Sequence, residues 1–417
     1  MLHKLNLLLL PSYKRAFWKI SKLPLYLIAI PSVILIRLIR PFFLIRIGSL
    51  FSHRIGHLAA NPELYLCEQD AGINVPTQYY LDLFFVVKPI SNNELLKKWM
   101  QLLTVWPTWF LAPIKRVNRL IPRWELHEIG ENSQMDRDIH HLLDRYPPHL
   151  NFSPTEEEKG AEGLRSLGVK QGAKFVCLLA RDSAYLESTQ PAVDWSYHDY
   201  RDCNVQNFVL AAEELANRGY YVLRMGAVVK TAMKSSHPLV IDYATKGVRT
   251  EFMDLYLGAK CEFCVSVGSG FDAIPYIFRR PIAFVNHVPM GYLFTFSDRF
   301  IGITKHHFSI AKDRNLNFTE IISEGLCFAY NAKEFVSREV LLVENTPEEI
   351  RDVVVEMVQR LDGTWRSHQD ELELQNKFWS IFPSGALRNG KPCHGKILSR
   401  YGSSYLRNNR WFLDASI

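Results

Sequence analysis

The stretch Phe263–Val285 most narrows what this chain can fold into. Phe263-Cys-Val-Ser-Val is a short apolar run, Gly268-Ser269-Gly270 breaks it, Phe271 to Phe278 follows, and Pro281-Ile-Ala-Phe-Val opens another apolar run. Strand, turn, helix and strand in so short a span imply a crossover that returns the chain to the starting end, so the two strands run parallel. The alternation extends upstream, with strands expected at Lys174–Ala180, Tyr220–Arg224 and Leu239–Tyr243 and helices at 204–218, 250–258 and 271–278. In the first of these helices Val205, Phe208, Val209, Ala212, Leu215 and Ala216 form one apolar stripe between Asn204 as cap and Gly219 as stop. The expected class is α/β with a parallel, doubly wound sheet.

A chain of 417 residues exceeds one compact core and fits two lobes. The pattern breaks at Pro147-Pro148, after which Ser153-Pro154-Thr155-Glu156 opens a helix with a capping box. The division expected is therefore 1–41 as a basic, apolar, membrane-associating segment, 42–150 as a first lobe, 151–345 as a second, and 346–417 as a helical tail packing back on the lobes. In the first lobe, Phe42–Ile47 and Leu81–Val87 read as strands, and Ser91 with Glu94 reads as a capping box before Leu95, Leu96, Trp99 and Leu102.

Charge is placed unevenly. Residues 1–62 contain no Asp or Glu and nine of the 49 basic residues, which leaves 40 basic against 43 acidic in the remainder. A nucleic-acid reader would carry its basic stripe on the folded body, so this asymmetry points to an anionic membrane surface and away from nucleic acid. Leu23–Ile36 is uncharged and apolar but short for a span, and it contains Pro24 and Pro31 and stops at Arg37. With Lys14, Arg15, Lys19, Lys22, Phe17 and Trp18 before it, the segment suits attachment in the headgroup region. A signal peptide is the competing reading, but no small-residue cleavage site follows the run. The seven cysteines are scattered, odd in number and set mostly among apolar residues; Cys261-x-x-Cys264 has no second pair, so core thiols in a reducing compartment are expected.

The chemistry-bearing residues sit at strand ends. The Gly268-Ser269-Gly270 turn lets backbone amides approach a ligand, and the following helix would offer its N–H groups and positive dipole end to a diphosphate. The bland alternative is a tight turn in which Asp272 only caps the helix. Arg181-Asp182 follows one strand and Arg224 ends another; either arginine could hold phosphate oxygens or simply pair with a carboxylate. In the first lobe Arg54-Ile-Gly56-His57 follows the first strand, with Glu63 further on. His57 fits a group that takes a proton from an acceptor hydroxyl, with Glu63 in reserve; it fits equally a histidine that hydrogen-bonds backbone at a helix start. Asp136-Arg137-Asp138 has no strand before it and reads as a solvated helix face, and the pairs His140-His141 and His306-His307 diverge, so no metal site and no cofactor are expected.

With these residues in view, the chain resembles a family of bacterial glycosyltransferases found with surface-polysaccharide and lipopolysaccharide functions, largely without assigned substrates. The resemblance runs from about Leu44 to Phe335 and is carried by residues 54–66 (RIGHLAANPELYL), 200–226 and 264–289 (CVSVGSGFDAIPYIFRRPIAFVNHVP). It implies two Rossmann-like lobes of the GT-B type, with a nucleotide-sugar donor on the C-terminal lobe and a glycan or lipid-linked acceptor on the N-terminal lobe. It also implies metal-independent transfer in which Gly56-His57 stands where similar enzymes carry their base; the residues themselves make a single displacement with inversion the expected course, with Arg54, Gly56, Arg181, Arg224, Gly268, Ser269, Gly270 and Asp272 as substrate-binding candidates. Reduced cysteines and the basic, membrane-facing end make the cytoplasmic side, peripheral to the inner face of the cell membrane, the expected place. The alternatives are a nucleotide-sugar epimerase on the same fold and a non-catalytic membrane-associated protein of envelope assembly.

Overall fold

The computed structural model describes residues 23–130, 137–189 and 191–414. The basic residues from Lys4 to Lys22, with Phe17 and Trp18, lie outside the described residues. The chain divides into two compact units, Met1–Met135 and Asp136–Ile417.

The first unit opens with helix α1 (Leu23–Ile39), followed by β1 (Leu44–Leu50), α2 (Ile55–Asp70), β2 (Tyr80–Val86), α3 (Asn93–Leu102) and α4 (Thr108–Asn118). β1 and β2 pair in parallel from Leu44 opposite Tyr80 to Leu50 opposite Val86. Single parallel bridges, Ile47 to Glu128 and Phe84 to Val105, widen the pair by one contact on each side. The unit's parallel sheet is therefore much smaller than a full doubly wound lobe. Asn92, one residue past the Ser91 expected, caps α3 by accepting from the Leu95 amide at 2.8 Å. Ala29, Val33 and Ile36 of α1 pack with Leu111 and Ile114 of α4 over Ile47, Leu83 and Phe85 of the strands. Arg37 joins the two helices: its Nε and Nη2 donate to Asn118 Oδ1 at 3.0 and 2.8 Å, and its Nη1 donates to the Pro122 carbonyl at 3.0 Å.

The second unit is built on α5 (Pro154–Leu167), β3 (Phe175–Leu178), α6 (Val209–Asn217), β4 (Tyr221–Arg224), β5 (Val240–Ile241), α7 (Glu251–Lys260), β6 (Cys264–Ser266), α8 (Ala273–Ile277), β7 (Ile282–His287) and β8 (Phe300–Thr304). A small antiparallel sheet of β9 (His306–Ser309), β10 (Arg314–Asn315) and β11 (Val340–Val343) comes next. Then come α9 (Pro347–Leu361), α10 (Glu371–Ile381), the hairpin β12 (Leu387–Arg388) and β13 (Lys391–Pro392), β14 (Arg400–Tyr401) and α11 (Ser403–Asn408). Seven strands form one sheet in the order β14-β8-β7-β6-β3-β4-β5, and every pairing is parallel. From β5 the order descends to β3, then jumps to β6 and ascends. This is the doubly wound arrangement the alternation predicts, and its topological switch point falls between β3 and β6. The capping box at Ser153 and Glu156 is present, as is the Gly219 stop, at φ 89°. The stripe helix starts as a 3-10 turn (Val205–Phe208) before becoming α-helical, and Val205, Phe208, Ala212, Leu215 and Ala216 are buried as expected.

One reading of the sequence is corrected. Arg137 and Asp138 are not a solvated helix face: both are buried. Arg137 donates to the carbonyls of Cys393, Tyr292 and Leu293, and Asp138 accepts the amides of Leu142 and Leu143 at 2.8 and 2.7 Å. Their charges are satisfied by backbone groups that are remote in sequence or sit at a left-handed turn, neither of which spacing reveals. The tail after Glu348 holds two helices, α9 and α10, separated where Gly363 takes φ 74°. All seven cysteines are free thiols.

Candidate nucleotide-binding site at the sheet switch point

At the switch point, β6 ends and the chain turns through Gly268, whose φ is 77°. A Cβ on Gly268 would lie 2.5 Å from His287 Cδ2 and 2.7 Å from Nε2, so both backbone geometry and space require glycine here. Ser269 then caps a 3-10 turn, Gly270–Asp272, that leads into α8. Asp272 is buried: its carboxylate accepts the Ser269 amide at 2.5 Å and the Ser266 hydroxyl, closing a capping box. Asp272 thus shapes the turn from beneath. The α-helix that follows is only Ala273–Ile277, so its dipole is short, and positive charge at the turn comes from elsewhere.

It comes from the loop after β3. There a 3-10 helix, Ser196–Arg201, delivers Arg201, which donates through Nη2 to the carbonyl of Gly268 while its Nε has no hydrogen-bond partner. Arg181 forms an ion pair with Asp202 and donates to the His198 carbonyl at 3.3 Å. Buried Lys305, just past β8, donates to the carbonyls of Tyr200 and Asp202 at 3.1 and 2.5 Å. Burial, with Arg181 beside it, lowers the pKa of Arg201, and burial lowers that of Lys305. Burial pushes Asp202 up to about 6 despite Arg181, and Asp272 up to about 7 despite its hydrogen bonds. His287 is driven down to about 3 by burial, Arg201 and Arg137, so its ring is neutral. Arg201 is thus the cation that lies on the glycine turn, beside the Arg181–Asp202 ion pair and Lys305. Beside it, Asp182, Asp202, Asn204, Lys230, Thr231 and Glu344 line a cavity of about 360 Å³.

Among the candidates named from the sequence, Gly268, Ser269, Gly270 and Asp272 form the turn, and Arg181 joins them through the loop that carries Arg201. Arg224 ends β4 fully buried, with Nη1 on Asp242 at 3.1 Å and Nη2 on the Thr231 carbonyl at 3.1 Å, so both terminal nitrogens hold the fold together. Arg54, Gly56, His57 and Glu63 belong to the first unit. Arg54 is exposed at the start of α2, Gly56 is buried, and Glu63 is fully buried, with the Cys67 thiol 3.9 Å from its carboxylate. His57 is half-buried, its ring is 6.1 Å from that of Phe51, and its Nδ1 has no hydrogen-bond partner. Arg201, His287 and Lys305 escape a sequence reading. Arg201 lies well past its strand, and the one available signal was a basic residue directly after a strand, which Lys305 meets behind β8.

Asp272 gives a test by pH. Its folded pKa of about 7 exceeds the usual 3.8, so the stability this group contributes is full below about pH 4 and is lost as the pH rises through 7. Asp272→Asn should flatten that decline in the melting temperature between pH 4 and 7; a profile parallel to wild type would show that Asp272 is ionised throughout.

No family model and no curated protein sequence matches the chain. What the fold itself defines is a two-unit α/β protein whose second unit is doubly wound. Similar solved structures include a glycosyl transferase family 9 protein from Veillonella parvula (12% identity, 76% of this chain and 96% of that one, TM-score 0.41). The ADP-heptose lps heptosyltransferase II of E. coli is another (12%, 76% and 100%, TM-score 0.40). A third, from Listeria monocytogenes, is assigned as a UDP-N-acetylglucosamine 2-epimerase (9%, 78% and 98%, TM-score 0.27). Likeness at these TM-scores carries no weight for function, which has to be argued from the site's own residues.

Proposed function

We propose that this chain is a glycosyltransferase that moves a sugar from a nucleotide-sugar donor to a glycan or lipid-linked acceptor in cell-surface polysaccharide synthesis. The observation that carries the reading is the glycine turn at the switch point of a doubly wound sheet, with Arg201 on its carbonyl and Arg181 close by. Ligands of such sheets bind outside the carboxyl ends of the strands at this point, and a diphosphate there would meet the Arg201 guanidinium and the backbone of the Gly268–Gly270 turn. As the bond from the anomeric carbon to the diphosphate breaks, its electron pair stays on phosphate oxygen, where the guanidinium groups stabilise it without a metal. The acceptor oxygen forms the new bond with inversion, and His57 takes its proton. The body works on the cytoplasmic side, peripheral to the membrane.

The first test is thermal stability against UDP, GDP, ADP, dTDP and CMP, with and without magnesium. A ligand at 100 times its Kd adds about 2.7 kcal/mol. Selective stabilisation by one nucleotide without magnesium supports the reading, and no shift with any of them removes it. His57→Ala should lower kcat by about 100-fold or more with donor affinity unchanged, and a full-rate variant would take His57 out of the role. Conversion of the nucleotide sugar with no acceptor present would instead identify an epimerase.

A further inference from the structure

We propose that the outward face of α1 is a docking surface for an anionic lipid bilayer, on which the helix lies without crossing. The proposal deepens the peripheral placement above by naming the surface and the lipid chemistry. Leu27, Ile28, Ile30, Ile34, Leu35 and Leu38 are all exposed, from 47% to 69%. At about 100° per residue they fill an arc of roughly 160° on the side of the helix away from buried Ala29, Val33 and Ile36. A water-facing helix carries polar residues on that side, whereas this face has large aliphatic side chains and no charge before Arg37. The exposed apolar surface continues into Phe42, at 81%, and the partner helix α4 begins beside exposed Trp106 and Trp109. Trp is the residue that favours the headgroup level.

Geometry and charge select the occupant. The helix is 17 residues, about 25 Å at 1.5 Å per residue, against a hydrocarbon core of about 30 Å, and among the described residues no helix is long and apolar enough to cross a membrane. Arg37 pins α1 to α4 through Asn118 and Pro122, so the apolar face belongs to the folded unit and is held outward. A second copy could cover such a face. It would, however, bring together two chains whose first 62 residues carry nine basic groups and no acid. Arg37 and Arg46 are engaged within the fold; the sequence sets Lys4, Lys14, Arg15, Lys19 and Lys22 before α1 and Arg40 just after it, charge complementary to anionic headgroups.

The test is cosedimentation of the full chain with vesicles of phosphatidylcholine alone and of phosphatidylcholine mixed with phosphatidylglycerol, without nucleotide. We expect at least tenfold tighter partitioning to the mixed vesicles. The triple variant Leu27→Glu, Ile34→Glu, Leu38→Glu should reduce that partitioning at least tenfold while its melting temperature, and any shift caused by nucleotide, stay as in wild type. Wild-type protein left in the supernatant with mixed vesicles, or equal partitioning of the triple variant, overturns the proposal. So does a wild-type dimer in sedimentation velocity that the triple variant dissociates, since the face then belongs to a second copy. Vesicle binding is read separately from nucleotide binding, so the failure of one leaves the other standing.

Discussion

Asp82→Ala should cost about 3–5 kcal/mol of stability. Asp82 stands directly opposite Arg46 in the β1–β2 register, and both side chains are buried. The carboxylate takes two donors from the guanidinium, Nε to Oδ1 at 2.7 Å and Nη2 to Oδ2 at 2.5 Å, and a third from the Tyr65 hydroxyl at 2.7 Å. Arg46 also donates to the Asn74 carbonyl at 2.8 Å, which anchors the turn after α2. Removing the carboxylate alone leaves a buried cation and a buried phenol without their acceptor, which is the expensive half of such a pair. The double variant Arg46→Met, Asp82→Leu takes away both charges and should recover much of the loss. Urea unfolding of wild type, single and double variants measures this; a single variant within about 1 kcal/mol of wild type, the scale of an exposed ion pair, would show that water reaches the pair.

Arg201→Met should weaken nucleoside-diphosphate binding by about 10- to 100-fold, because a hydrogen bond to a charged group is worth roughly 1.5–3 kcal/mol and each decade of affinity about 1.4. Arg201 reaches the Gly268 turn through Nη2, so its loss removes the cation that lies on that turn. Arg224→Met is the control. Both terminal nitrogens of Arg224 donate to Asp242 and Thr231 on the β4–β5 side of the sheet, so this variant should lower the melting temperature and leave the affinity of the remaining folded protein near wild type. Calorimetric titration of both variants with the nucleotide that stabilises wild type decides between them. Equal affinities for Arg201→Met and wild type would place the diphosphate elsewhere.

How much of the fold could be read from the chain depended on the reach of each signal. The parallel sheet was legible because burial on both faces demands continuous apolar runs such as 263–267 and 282–285, and because the intervening helices carry their own caps and stops. The glycine turn was legible for a similar reason: positive φ and a close approach to a neighbouring ring both demand glycine, and such demands mark the sequence. The basic, acid-free first 62 residues were legible as charge, but not that Arg46 would turn inward to Asp82 and Arg37 onto Asn118. Those pairings join residues 36 and 81 positions apart, and no local pattern encodes them.

Local chemistry thus set which segments became strands, helices and turns, since hydrophobic period, caps and glycine demands act within a few residues. Tertiary structure alone decided which arginine meets the turn. Arg181 and Arg224 stand at strand ends and look equivalent in sequence, yet the order β6-β3-β4-β5 puts β3 at the switch point and β4 one strand further out, beside β5. Arg224 finds Asp242 at the end of that outer strand, while the loop after β3 folds back to carry Arg201 onto Gly268. Burying a charge is costly unless a partner is at hand, so the sheet order, by choosing the neighbours, chose which cation pairs with Asp242 and which lies on the glycine turn.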